Sequence, residues 1–219
     1  MKSKCQYLEE LFIEWENSIP NHLNHFVRDG IINEEIYESV SPKILFITKE
    51  VNNPYQLPGN FSEWWNEEIK YAFTLRIIEW AYGIIHGFPQ YDTIWKRRGP
   101  DSAKQTIKKI AFMNVKKIGG KGSSHWKDIL PHIKSNYEFL HKEIEIIEPE
   151  IIILGLSWQV LRDELFKGVN WIKSGYDIEI GKFKNSKLID FYHPSSRNAP
   201  AAAYSLLQNV FQADQFHNL

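Results

Sequence analysis

Glu50, Asn114, Ser157 and His193 carry groups that can do chemistry, and each follows a short apolar run. The runs are residues 43–48 (KILFIT), 110–113 (IAFM), 151–154 (IIIL) and 188–192 (LIDFY). Behind them come Lys49-Glu50-Val51-Asn52-Asn53-Pro54, then Asn114, then Gly155-Leu156-Ser157, then His193-Pro194-Ser195-Ser196-Arg197. In an open parallel sheet, ligands bind just beyond the carboxyl ends of the strands. The pattern therefore predicts a carboxylate, an amide, a small-residue turn and a histidine converging in one crevice. A carboxylate there can orient or deprotonate water and stabilise a cationic sugar. A histidine N–H can stabilise charge on a leaving group, and an asparagine amide offers a donor and an acceptor together.

These groups must be positioned by helices lying between the strands. Helical spacing is expected over residues 7–15, 34–40, 64–85, 102–109, 132–147 and 200–211, with a further helix after Ser157. Residues 176–180 and 187–192 read as a hairpin, its second member in the sheet. Residues 52–61, 87–100 and 116–124 read as loops, the last one glycine-rich and basic (KKIGGKGSS). The expected fold is a three-layer α/β/α arrangement with a central, mainly parallel four-stranded sheet. It forms one domain over residues 1–219, with 1–41 as a helical N-terminal extension packed on it.

Composition narrows the chemistry. Hydrophobic residues make up 43% of the 219, enough for a sizeable core, and aromatics reach 14%. Cys5 is the only cysteine, so no disulfide framework, CxxC motif, thiolate zinc site or iron–sulfur cluster is available. No cofactor or metal is expected, and a reducing, cytoplasmic setting fits. The N-terminus has early acidic residues and no apolar stretch of signal-peptide type. No run approaches the ~20 apolar residues that span a bilayer, so no membrane partner is expected. Net charge is only −1, yet nine basic residues against Asp101 alone lie between Lys96 and Lys121. That stretch is either a phosphate-neutralising patch or a solvated helix face with basic loops.

Ala111-Phe112-Met113-Asn114, followed by Gly119-Gly120-Lys121-Gly122-Ser123-Ser124-His125-Trp126, resembles the uracil-DNA glycosylase superfamily. There an apolar strand ends in a base-reading asparagine, followed by a Gly/Ser/Lys loop and a helix with an early tryptophan. His193-Pro194-Ser195 matches the family's HPS motif, and residues 151–157 look like its penultimate strand and small-residue turn. The resemblance spans residues 42–211 in order. The first motif departs from the pattern. Aligned without gaps, Glu50 takes the place of the catalytic acid or amide; aligned on the Asn-Pro-Tyr triplet, Asn53 takes it. Glu50 is preferred because its carboxylate emerges at the strand end. Its plain structural alternative is a pair with Lys49 or Lys116.

The resemblance implies a monofunctional DNA glycosylase that needs no cofactor and leaves an abasic site. Glu50 would handle water beside the sugar, and His193 would stabilise the departing base. Asn114, with Asn52 and Tyr55, would bind a base flipped from a duplex or presented on a single strand. Lys116, Lys121, Ser157, Ser195, Ser196 and Arg197 would hold the DNA backbone. Uracil-specific members place a tyrosine where the ungapped alignment has Asn52. A pyrimidine with a polar C5 substituent, such as the glucosylated hydroxymethylcytosine removed by an anti-phage branch, is therefore expected ahead of plain uracil and repair. Alternatives are a non-catalytic module binding odd bases or single strands, and a nucleoside hydrolase using the same crevice. No obligate protein partner is expected.

Overall fold

The computed structural model describes residues 2–19, 25–53, 55, 57–67, 69, 71–96, 99–120 and 124–219. Its strands are β1 (Val27–Arg28), β2 (Gly30–Ile31), β3 (Ile44–Asn52), β4 (Gly59–Asn60), β5 (Ile110–Gly120), β6 (Ile151–Leu154), β7 (Ile172–Lys173), β8 (Glu179–Phe183) and β9 (Ser186–Asp190). The main sheet runs β2-β5-β3-β6-β9-β8-β7. Its centre, β5-β3-β6-β9, is parallel and uses the four apolar runs of the sequence. Each central strand is covered on both faces, which is why it reads as a continuous Ile/Leu/Phe run rather than an alternation.

The expected four-stranded sheet is corrected to seven mixed strands. β2 joins one edge antiparallel to β5, and β8 and β7 extend the other edge antiparallel. The N-terminal segment thus supplies a sheet strand as well as helices. β3 and β5 also run further than their apolar stretches, to Asn52 and Gly120, because the mutual ladder continues through polar residues. Glu50, Asn114, Lys116 and Gly119-Gly120 are therefore strand residues, not loop residues.

Helices cover both faces. One core joins Ile44, Phe46, Ile110, Phe112, Ile153 and Ile189 to the helices Ala72–Ile85, Pro100–Ile107 and Pro200–Gln212. The other joins Leu45, Ile47, Ala111, Met113 and Leu188 to Lys4–Ser18, Trp126–Ser135, Tyr137–Ile147 and Gln159–Leu165. Two expected helices are interrupted. Residues 64–85 resolve into Phe61–Glu67 and Ala72–Ile85, and 132–147 lie across Trp126–Ser135 and Tyr137–Ile147, which meet at Asn136. No helix among the described residues is long and apolar enough to cross a membrane.

Candidate functional site

Side-chain alternation along a strand sorts the polar ends of β3 and β5 onto two faces. Phe46, Thr48 and Glu50 share a face with Phe112, Asn114 and Lys116, and they pair in register. The Thr48 hydroxyl donates to Asn114 Oδ1 at 2.7 Å, and the Asn114 backbone N–H donates to Asp29 Oδ2 at 2.7 Å. Asn114 is 2% exposed, and its Nδ2 has no partner among the described residues. A buried, unpaired amide donor is costly.

One step further, Lys116 Nζ donates to Glu50 Oε2 at 2.5 Å, and the Glu50 side chain is only 5% exposed. The register then slips: Glu50 pairs with Lys116 but Asn52 with Gly120. The bulge lays Gly120 against the carboxylate, where a Cβ would stand 2.0 Å from Glu50 Oε2. Gly120→Ala must therefore push the carboxylate aside. It is expected to cost about 1 kcal/mol or less in stability, since the displaced atoms end a flexible side chain. Any activity that depends on Glu50 should nevertheless fall sharply. Urea unfolding and turnover measured on one preparation check both halves.

His193 reaches the same face. Its ring lies 5.7 Å from Phe73, and Phe73 lies 5.8 Å from Phe112, two residues before Asn114. Phe61 and Trp65 complete the aromatic wall at 4.7 and 4.9 Å from Phe112. The turn after β6 locks the histidine loop in place. A Cβ on Gly155 would sit 3.1 Å from Pro194, 3.4 Å from His193 Cα and 3.4 Å from Thr48 Cγ2. Ser195 N–H donates to His193 Nδ1 at 3.1 Å, which leaves the ring proton on Nε2. Burial, and then the positive charge of Lys49, hold this imidazole well below 6.5, at about 4. It is thus a neutral N–H donor at ordinary pH.

That shift has a sign. Between pH 6.5 and about 4 the unfolded chain takes up the proton before the folded one, so acidification through this window removes stability. Turnover that depends on neutral His193 is expected to stay level through pH 6–7 and fall only toward pH 4. A kcat/KM profile with an acid limb near 6.5, abolished in His193→Gln, would contradict this.

The remaining sequence candidates divide. Ser157 lies on the Lys49 side of the strand ends, opposite Glu50, its Oγ 3.4 Å from Lys49 Nζ. Ser195 and Arg197 are exposed and Ser196 is half-buried on the histidine loop. Asn52 is exposed, and Tyr55 is 83% exposed, so neither packs into the crevice. Asn53 ties its own loop, its Nδ2 donating to Leu57 O at 2.5 Å and its Oδ1 accepting from Leu57 N. That leaves Glu50 as the strand-end group. Lys121 lies outside the described residues.

Sequence reasoning missed the support beneath Asn114. Lys117, counted in the basic stretch, is buried between Asp29 and Glu143, 2.7 Å from Glu143 Oε2, with the Phe12 and Trp15 rings 5.3 and 5.2 Å away. It belongs to no phosphate patch. Burial raises the Glu143 carboxyl well above the usual carboxylate range, against the opposing pull of Lys117. The Cys5 thiol is pushed up to about 12 by burial and then by Glu34, so it is no nucleophile. Among the described residues no cluster of His, Cys, Asp and Glu suited to a metal ion occurs. No protein-family model matches the chain, and no curated protein matches it either.

Proposed function

We propose that this chain is a DNA glycosylase that hydrolyses the N-glycosidic bond of an extruded, C5-modified pyrimidine and leaves an abasic site. The observation that carries the reading is the placement of Glu50 and Asn114 on one face at the ends of the paired strands β3 and β5, with His193, beyond β9, reaching that face against the Phe73 ring. In this reading the base enters against Phe73 and gives the unpaired Asn114 amide its partner. Glu50, released from Lys116, orients water and stabilises the cationic sugar. The neutral His193 Nε2–H stabilises negative charge on the departing base. A role in defence against phages with glucosylated hydroxymethylcytosine rests on the resemblance alone, since Asn52 is exposed and does not line the crevice; excision of plain uracil in repair is the narrower version.

The test is direct. The protein is incubated in excess with unmodified, uracil-containing and phage-modified DNA, abasic sites are cleaved with alkali, and released bases are weighed by mass spectrometry. A released base identifies the substrate. No abasic site on any of these DNAs overturns the enzymatic reading. One observation favours a second reading, a module that binds unusual bases without cutting: the Glu50 carboxylate is nearly buried and paired with Lys116. Salt-dependent DNA binding with no abasic sites would establish it.

A further inference from the structure

We propose that the opposite face of the same strand ends is a stacking platform for single-stranded nucleic acid, built from Trp158, His125 and Trp126 with the Lys49 and Lys127 ammonium groups above the rings. It deepens the nucleic-acid half of the reading above and makes no use of its chemistry. Lys49 precedes Glu50 in β3, so it points to the other side of the sheet, toward the core that Trp126 and Trp158 border. There its Nζ stands 4.7 Å over the Trp158 ring, and Lys127 Nζ stands 5.7 Å over Trp126. His125 links the two indoles, with centroids 5.9 Å from Trp126 and 6.2 Å from Trp158.

The rings are held in place yet remain reachable. His125 Nδ1 accepts from Lys127 N at 3.2 Å, fixing the imidazole, while the residue itself is exposed. Ser157 turns the chain with a left-handed φ of 67°, a conformation disfavoured for serine, and so delivers half-exposed Trp158 to the rim. Neither Lys49 nor Lys127 makes an ion pair with a carboxylate among the described residues; Lys127 is exposed, and Lys49 Nζ is held only by Ser157 Oγ at 3.4 Å and the Trp158 ring. When Lys49 and Lys127 swing from the ring faces they now cover to the phosphates of a strand, the bared indoles suit its unstacked bases. A duplex hides its base faces and gains only the charges. The platform and the Glu50–His193 face share one edge of the sheet. A strand crossing that edge would stack one nucleotide on Trp158 while its neighbour enters the crevice.

Fluorescence anisotropy of a labelled 12-nucleotide oligo-dT with the full chain, across a salt series, tests this. Trp158→Leu is expected to weaken binding about tenfold or more, in keeping with base–aromatic stacking. Lys49→Gln is expected to lower the slope of log K against log salt by about 0.7, the value for one phosphate on a single strand. His125→Leu, at an exposed position, serves where Trp158→Leu lowers the melting temperature, and Tyr7→Leu removes an exposed ring elsewhere. Unchanged affinity in both platform variants, an equal loss in Tyr7→Leu, or no salt-dependent binding by the unaltered chain overturns the platform. Base release measured on the same samples reports separately on the enzymatic reading.

Discussion

Lys117→Met is expected to destabilise the fold by about 3–5 kcal/mol, the cost of removing one partner from a buried ion pair. The Asp29 and Glu143 side chains beside Lys117 are fully buried, so deleting the cation strands the Asp29 carboxylate without water or counter-ion. Glu143→Gln should differ sharply, at about 1 kcal/mol or less. Burial raises the Glu143 carboxyl and so eases its protonation, and glutamine reproduces the shape of the protonated group. The raised value also has a sign: the contribution of Glu143 is complete below its ordinary 4.5 and is lost as pH rises through the shifted value. Urea midpoints for the two variants decide the matter. Equal losses would mean that Glu143 is charged in the folded state.

His193→Ala and Glu50→Gln should each lower base release by a factor on the order of 10²–10³, the usual effect of deleting one preorganised group facing developing charge. DNA affinity should stay within a few-fold of the unaltered chain, because neither group is asked to grip the backbone. Asn114→Ala should show the converse emphasis, weakening recognition of the modified base more than it slows the chemical step. Single-turnover rates separate these cases. Loss of DNA binding in His193→Ala, with the rate on bound substrate unchanged, would reassign the imidazole to positioning.

The four central strands were legible because a strand buried on both faces leaves an uninterrupted apolar run, which residues 44–47, 110–113, 151–154 and 188–189 all supply. That Glu50 and Asn114 stand on paired parallel strands followed from the apolar runs before them, whereas the face they share came only with the register of β3 and β5. The β8–β9 hairpin was legible in outline, but the two edge strands were not. Gly30–Ile31 and Ile172–Lys173 have two residues each, too few to show a period. Nor did polarity reveal that β5 continues to Gly120, since its ladder with β3 overrides local preference. The Asp29–Lys117–Glu143 cluster left no local trace, because its members lie far apart in the chain and Lys117 sits among lysines that look solvated. The Glu50–Lys116 pair was foreseeable as the ordinary fate of a strand-end carboxylate. The bulge that presses Gly120 against it was not.

Asp29 and β2 come from the start of the chain, yet their partner Asn114 lies in β5. The first helix waits longer still, because its Leu8, Phe12 and Trp15 share a core with Leu140, Ile144 and Leu165. During synthesis at the ribosome, that greasy helix face emerges well before anything exists to cover it. Long-range contacts of this kind slow folding and lengthen the exposure of sticky surface. The central sheet can therefore close only once β9 has been made, and until its core partners follow, the apolar face of the first helix stays uncovered.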